Sequence, residues 1–208
     1  MKILAIGAHY DDIELGCGGS LSRWKKEGHE IHYFVASESG YSTPEGQVIR
    51  SSEIARKEGH KAAAMLNACL TEGLIPSFEV EFVESLNAIL LKLLKEIKPD
   101  IMLTHWHGDV HHDHRALARA SIHCSKHVPR LLMYSSNWYE SEVRFNPMFF
   151  VDITRYLDEK VKLIQVYESE ITRTHGRWLD FVVSQARLNG LKAETKYAEG
   201  FEALKWLY

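Results

Sequence analysis

Two short stretches hold residue types that can do chemistry together. The first, Ala5-Ile-Gly-Ala-His-Tyr-Asp-Asp-Ile-Glu-Leu15, leaves an apolar run through His9, Asp11 and Asp12. Neighbouring carboxylates repel, and a chain that exits a buried strand through two of them needs a reason to gather negative charge. The second, His-Trp-His-Gly-Asp-Val-His-His-Asp-His over 105–114, carries five of the twelve histidines in ten residues. Imidazole and carboxylate are the donors that suit zinc and similar divalent ions. A catalytic zinc keeps three protein ligands and one open position. His9 and Asp12 flank one turn, so both can face one ion, and one histidine of the second segment would complete the set. The dication would offset the repulsion between the acids and leave Asp11 free as a base beside an activated water.

The elements around these stretches decide whether they meet. Apolar strands alternate with helical patterns, which predicts an α/β fold with a mostly parallel sheet. The predicted strands are Lys2–Ala8, Glu30–Ala36, Ala68–Thr71, Asp100–Thr104 and Leu131–Ser135, with "MFFVDI" (148–153) as one more. The predicted helices run over Leu15–Gly28, Gln47–Leu66, Glu81–Lys98, from the histidine-rich segment to about His127, and over Thr154–Tyr167 and Arg177–Leu188. A loop rich in Ser, Gly and Thr spans Ser37–Gly46. With no repeat and no linker, residues 1–208 read as one Rossmann-like, three-layer domain with a C-terminal helical extension. Ligands of an open parallel sheet bind at the carboxyl ends of its strands, and both unusual segments follow such ends.

Composition narrows the partners. The 208 residues are 45% hydrophobic and 25% charged with a formal net charge of -3, which gives no electrostatic case for nucleic acid or an anionic membrane surface. No stretch has the length and apolarity of a membrane span, and no secretory leader precedes the first strand. Three scattered cysteines, Cys17, Cys69 and Cys124, form no CxxC pair and suit free thiols in a reducing, cytoplasmic setting.

Plainer explanations compete for the same residues. An Asp-Asp pair before a helix commonly serves as its N-cap, and a histidine-rich loop can be a solvated surface. Gly16, Gly18 and Gly19 after a first strand suggest a dinucleotide fold, but the acids precede the glycines and would repel a pyrophosphate at the helix entrance. Cys17 in a Gly-rich turn fits packing better than ligation.

In their order along the chain, these residues resemble the LmbE-like, or PIG-L, zinc-dependent N-acetylglucosaminyl deacetylases. The strand followed by Ala8-His9-Tyr10-Asp11-Asp12 and the Gly18-Gly19 pair is similar to the family's A-H-P-D-D signature, and His111-His112-Asp113-His114 to its H-x-D-H signature. Arg50 and Glu53 match an R-x-x-E element, Tyr197-Ala198-Glu199-Gly200-Phe201 a late Tyr-Ala-Glu-x-Phe element, and Ser184-Gln185 a Ser-Gln pair before it. The resemblance implies that His9, Asp12 and His114 hold zinc (or Fe2+ or Co2+) and that Asp11 is the general base. It makes His111 the proton donor or oxyanion partner, oriented by Asp113. Arg50 and Tyr197 become substrate-binding residues. Two departures stand out: Tyr10 replaces the usual proline at the pocket rim, and "YSSNWY" (134–139) lacks an arginine that some members carry.

The reaction expected is hydrolytic removal of an acetyl group from an N-acetylated amino sugar or glycoconjugate precursor, with Arg50 suited to an anionic group on it. Trp106, Trp138 and Tyr139 follow strand ends and could stack on a sugar ring. Within the family an amidase acting on a sugar-thiol conjugate is an alternative. Outside it stand a metal-dependent phosphoesterase, for which His105, His107 and Asp109 would form a second metal set, and a non-catalytic metal- or sugar-binding module. Known members that self-associate make a homo-oligomer plausible.

Overall fold

The computed structural model describes residues 1–208. Its first strand, β1 (Lys2–Gly7), is an interior strand of a seven-stranded sheet, and its residues alternate between two cores. Ile3 and Ala5 join one apolar cluster, while Leu4 and Ile6 join another on the opposite face. A strand buried on both sides needs helices on both sides, and the chain supplies them.

After β1 come α1 (Asp12–Lys26) and β2 (Glu30–Ser37), then a small hairpin of β3 (Tyr41–Ser42) and β4 (Val48–Arg50). Next are α2 (Ser52–Met65), β5 (Cys69–Ile75), α3 (Glu84–Ile97), β6 (Ile101–His105), α4 (His112–Cys124) and β7 (Arg130–Tyr134). The C-terminal third adds β8 (Phe149–Asp152), α5 (Leu157–Gln165), α6 (Glu168–Arg173), α7 (Arg177–Lys192) and β9 (Ala198–Trp206). The sheet order is β5-β2-β1-β6-β7-β9-β8; β1, β2, β5, β6 and β7 run parallel, and β9 pairs antiparallel with both β7 and β8. The α/β class and the mostly parallel sheet predicted from the alternation are present, with α3 and α4 on one face and α1, α2, α5 and α7 on the other.

Two expectations need correction. Gln47–Arg50 is not helical: Val48 and Arg50 pair with Ser42 and Tyr41, and the helix starts only where the Ser51 side chain caps Ile54 N at 3.2 Å. The C-terminal third is also more than a helical extension, because β9 enters the sheet between β7 and β8. No helix is long and apolar enough to cross a membrane.

β1 has β2 on one side and β6 on the other, so the sheet order reverses there. A crevice opens at the carboxyl ends of strands at such a switch point. The loops leaving β1 and β6 are the two histidine- and aspartate-bearing segments.

Candidate metal centre and active-site cavity

The turn after β1 is tied by its own backbone and acids. His9 N donates to Asp12 Oδ2 at 2.8 Å, which folds Asp12 back toward His9 at the first turn of α1. Asp11 occupies the N-cap position at φ 117°, yet its side chain makes no capping bond. A non-glycine residue held at positive φ stores strain that the surroundings must sustain. Here Arg50 sustains it: Nη1 donates to Asp11 Oδ2 at 2.9 Å and to the Tyr10 carbonyl at 3.3 Å, and Nη2 donates to Glu58 Oε2 at 2.9 Å. The plain N-cap explanation of the acid pair therefore does not describe Asp11.

From the other segment, His114 in the first turns of α4 brings its Nε2 to 3.2 Å from His9 Nδ1 and 3.3 Å from Asp12 Oδ1. His9 Nδ1 is 3.3 Å from Asp12 Oδ2. The outer nitrogens of both rings are spoken for by carboxylates: His9 Nε2 lies 2.9 Å from Asp113 Oδ2, and His114 Nδ1 lies 3.0 Å from Asp109 Oδ2. A carboxylate only accepts, so each outer nitrogen donates, and in the neutral rings that metal binding requires each inner nitrogen would present a lone pair. Two imidazole lone pairs and a carboxylate then face one point, an arrangement that calls for a cation. The donor set fits a divalent metal of the zinc type.

Without a metal, protons answer the same demand. Burial lowers the His9 pKa, but its bonds with Asp113 and Asp12 outweigh burial and raise it to about 9. His114 is likewise lowered by burial and carried to about 10 by Asp12 and Asp109. Burial would raise Asp12, but His114 and His105 hold it well below the usual carboxylate range. Asp11 goes the other way: burial raises it well above that range, with Arg50 opposing and Asp12 adding to the rise. The adjacent acids thus occupy different environments, one inside the donor set and one beside it.

His111 caps α4, accepting from Asp113 N through Nδ1 at 3.2 Å. Its Nε2 is left as the donor. Burial and the nearby His114 and His9 charges lower its pKa to about 3, so it is a neutral N–H donor near neutrality. Its ring stacks on Phe78 at 5.8 Å between centroids. The expected pairing of Asp113 with the His111 ring is corrected here. The Asp113 carboxylate turns to His9 and to the backbone N–H groups of Phe78 (2.9 Å) and Val80 (3.3 Å). It anchors a metal-ligand candidate and the Phe78 loop instead, because α4 directs residue 113 inward under His9.

Beneath the cluster, His105 is fully buried and stacks on His114 at 3.9 Å. Its Nε2 lies 3.0 Å from Ala8 N and 3.2 Å from Asp12 Oδ2. Ser136 donates its hydroxyl to Asp12 Oδ1 at 2.9 Å. His105 has no distinct signature among the clustered histidines, and Ser136 and Asn137 carry no motif; their only sequence signal is their position just after a strand end.

A cavity of about 330 Å³ opens over the cluster, walled by Tyr41, Phe78, Trp138, Tyr139, Glu170 and Arg173. The loop after β2 contributes Ser39 and Tyr41 to its wall. Trp138 and Tyr139 reach the cavity, whereas Trp106 is buried and lines a neighbouring cleft of about 510 Å³. Arg50 borders the cavity, but it is 3% exposed and its charge is engaged by Asp11 and Glu58. Its partner is Glu58, not the exposed Glu53 of the R-x-x-E match.

Tyr197 lies outside the cavity, packed against the core, and its carbonyl accepts from Ile153 N at 3.0 Å. Nothing places it at a substrate. The late element acts through Glu199, whose carboxylate accepts from Gly19 N (2.9 Å) and Ser20 N (2.6 Å) and pairs with buried Lys160. These bonds cap the half of α1 that restarts after a break at Cys17. Gly19 lets the chain pass close to Ile153 there, since a Cβ would stand 2.8 Å from Ile153 Cδ1 and displace it. Tyr10 does not shape the pocket rim either. Its ring is 1% exposed, lies over Gly59, and its hydroxyl donates to Glu72.

Comparison with known proteins agrees with this geometry. The sequence profile of the PIG-L family, described as GlcNAc-PI de-N-acetylase, matches residues 4–125. "Uncharacterized deacetylase YaiS" of Escherichia coli (strain K12) is 30% identical over 183 residues, covering 80% of this chain and 90% of that protein. Among solved structures, the N,N'-diacetylchitobiose deacetylase from Pyrococcus horikoshii superposes with a TM-score of 0.82 at 22% identity, over 98% of this chain and 83% of that one. The conserved protein TT1542 from Thermus thermophilus gives 0.81 at 23% identity, over 99% and 96%. With its profile matched across both histidine-bearing segments, the chain belongs to the PIG-L family.

Proposed function

We propose that this protein is a divalent-metal-dependent deacetylase that hydrolyses the acetamide of an N-acetylated amino sugar or a glycoconjugate carrying one. The observation that carries the reading is the convergence of His9 Nδ1, His114 Nε2 and Asp12 on one point, with a non-ligand carboxylate, Asp11, beside it. The names of a relative and of a structural neighbour, both deacetylases and one acting on diacetylchitobiose, support the reaction class.

His9, Asp12 and His114 would hold the ion. When bound there, a divalent metal polarises an amide carbonyl and acidifies water. Asp11 takes a proton from the attacking water, with Arg50 keeping its carboxylate ionised and aimed. The Nε2–H of His111 donates to the carbonyl oxygen as negative charge develops on it. Asp11 then returns its proton to the departing amine, giving acetate and a free amino sugar. Trp138, Tyr139, Tyr41 and Phe78 give the sugar apolar faces to lie against. Because Arg50 already has two carboxylate partners and the cavity's other arginine, Arg173, is paired with Glu170, an uncharged sugar suits this cavity better than one carrying a phosphate.

A two-metal phosphoesterase site gains no support. The other two donor groups, His105-Asp109-His114 and His9-His111-Asp113, each share a histidine with the first, and their carboxylates, Asp109 and Asp113, are already engaged by hydrogen bonds. The three cysteines are unpaired, which supports a reducing compartment such as the cytoplasm.

The test is acetate release from a panel of N-acetylated mono- and disaccharides and their phosphorylated or nucleotide-linked forms. The protein would be stripped with chelator and reloaded with zinc, iron or cobalt. Release that requires the metal and favours uncharged sugars is expected. Release by the metal-free protein, or phosphate release instead, would refute the proposal.

A further inference from the structure

One carboxylate outside the proposed ligand and base set gathers three donors. Asp109, 3% exposed, lies in the loop between β6 and α4. Its Oδ2 stands 3.0 Å from His114 Nδ1, and its Oδ1 accepts from His111 N at 2.8 Å. Asn137 Nδ2 lies 2.9 and 3.1 Å from the two oxygens. The orientation of that amide is set by Tyr139 N, which donates to Asn137 Oδ1 at 3.1 Å. Asn137 and Tyr139 both line the active-site cavity.

We infer that Asp109 is a positioning residue that locks His114 with its hydrogen on Nδ1, and that Asn137 ties this lock to the cavity wall. The inference rests on the metal-centre reading above. The reasoning is one of hydrogen-bond polarity. An ionised carboxylate only accepts, so His114 must donate through Nδ1; once a metal displaces the remaining ring proton, only Nε2 can turn a lone pair toward the point shared with His9 and Asp12. The same carboxylate fixes the backbone of His111, so one side chain sets the placement of a ligand and of the neighbouring donor. Asn137 reaches Asp109 from the loop after β7 that also carries Trp138 and Tyr139. A substrate that moves this loop therefore acts on His114 without touching it.

Asp109→Asn separates positioning from shape. Asn137 Nδ2 reaches both oxygens, but His111 N is a backbone donor that cannot become an acceptor whereas His114 Nδ1 can, so the amide oxygen will take the Oδ1 place and the amide NH2 will face His114. Nδ1 must then accept, and the hydrogen moves to Nε2, where it blocks the lone pair. Zinc affinity of the stripped protein, measured by competition with a chromophoric chelator, should fall roughly 10–100-fold. In the zinc-loaded wild type, a hydrogen-bonded His114 Nδ1–H resonance should be seen by 15N–1H NMR, and it should vanish in Asp109→Asn. Should that variant fail to fold, Asn137→Ala decides: it should weaken zinc several-fold although Asn137 touches no proposed ligand.

Equal zinc affinity in wild type and Asp109→Asn, or in Asn137→Ala where that is the variant available, overturns the inference alone. Two ions per wild-type chain, one of them lost with Asp109, would make Asp109 a ligand and overturn it as well. A wild-type protein that takes up no zinc refutes the metal-centre reading itself, and this inference with it.

Discussion

Arg50 holds Asp11 through a 2.9 Å bond between Nη1 and Oδ2, and it does so from inside the protein, 3% exposed, with Glu58 behind it. Removing one partner of a buried pair costs about 3–5 kcal/mol, because the other charge is left unpaired. Arg50→Ala should therefore lower the melting temperature. It should also cut kcat, by on the order of 10²-fold if Asp11 drifts by an ångström. Activity needs Asp11 ionised, burial already raises its pKa, and Arg50 opposes that rise. Loss of Arg50 should thus move the acid limb of the pH–rate profile to higher pH. KM should change alike for neutral and anionic sugars; a selective loss for the anionic one would show that Arg50 meets substrate.

The adjacent acids should separate cleanly. Asp12 stands within 3.3 Å of His9 and His114, whereas Asp11 pairs with Arg50. Asp11→Asn should retain the metal and lose roughly 10²–10⁴-fold in rate, the usual contribution of a general base. Asp12→Asn should lose the metal. Metal analysis of both proteins alongside their rates checks this, and identical behaviour would refute the division.

Metal uptake should expel protons. In the metal-free protein His9 and His114 titrate at about 9 and about 10, so near pH 7 the cluster holds protons that a metal must displace. Affinity should rise with pH through that range. Calorimetry in buffers of different ionisation enthalpy should report at least one proton released per ion. The same groups give the metal-free protein stability that is fully present below about pH 6.5 and lost as pH rises through 9 to 10. The loaded protein should not show that loss.

Gly59 should tolerate nothing larger. A Cβ there would come within 2.1 Å of Tyr10 Cδ1, and the ring is buried with its hydroxyl on Glu72. Gly59→Ala should destabilise by about 1–3 kcal/mol, as overpacking does. Tyr10→Phe should cost about 1 kcal/mol for the lost hydrogen bond. Denaturant melts measure both.

The late Tyr-Ala-Glu element should behave as structure. Tyr197→Phe should leave KM unchanged, since Tyr197 does not line the cavity. Glu199→Ala removes the partner of buried Lys160 and the cap on Gly19 and Ser20, and should cost about 3–5 kcal/mol. A KM effect from Tyr197→Phe without loss of stability would return it to the substrate site.

What the sequence determined by itself is what short-range pattern can carry. The alternation of Ile3, Leu4, Ala5 and Ile6 specifies a strand buried on both faces, and the periodic Leu86, Leu90, Leu93 and Leu94 specify a helix against it. Helices between such strands force a parallel sheet. Both polar segments then follow carboxyl ends of strands, where ligands of such sheets bind, and the family resemblance singles out His114 among the histidines of the second. The tertiary structure alone decided which partner each polar group takes. Asp113 meets His9 and not the His111 ring. Arg50 meets Glu58, five positions beyond the glutamate that its motif suggested. Asp109 and Asn137 meet across 28 residues of chain. The β9 strand is not legible from local pattern for a related reason: its place between β7 and β8 depends on pairings far away in the chain. A hydrogen bond depends on where a side-chain tip ends up within a few tenths of an ångström, and residue spacing fixes the backbone only to a face and a turn.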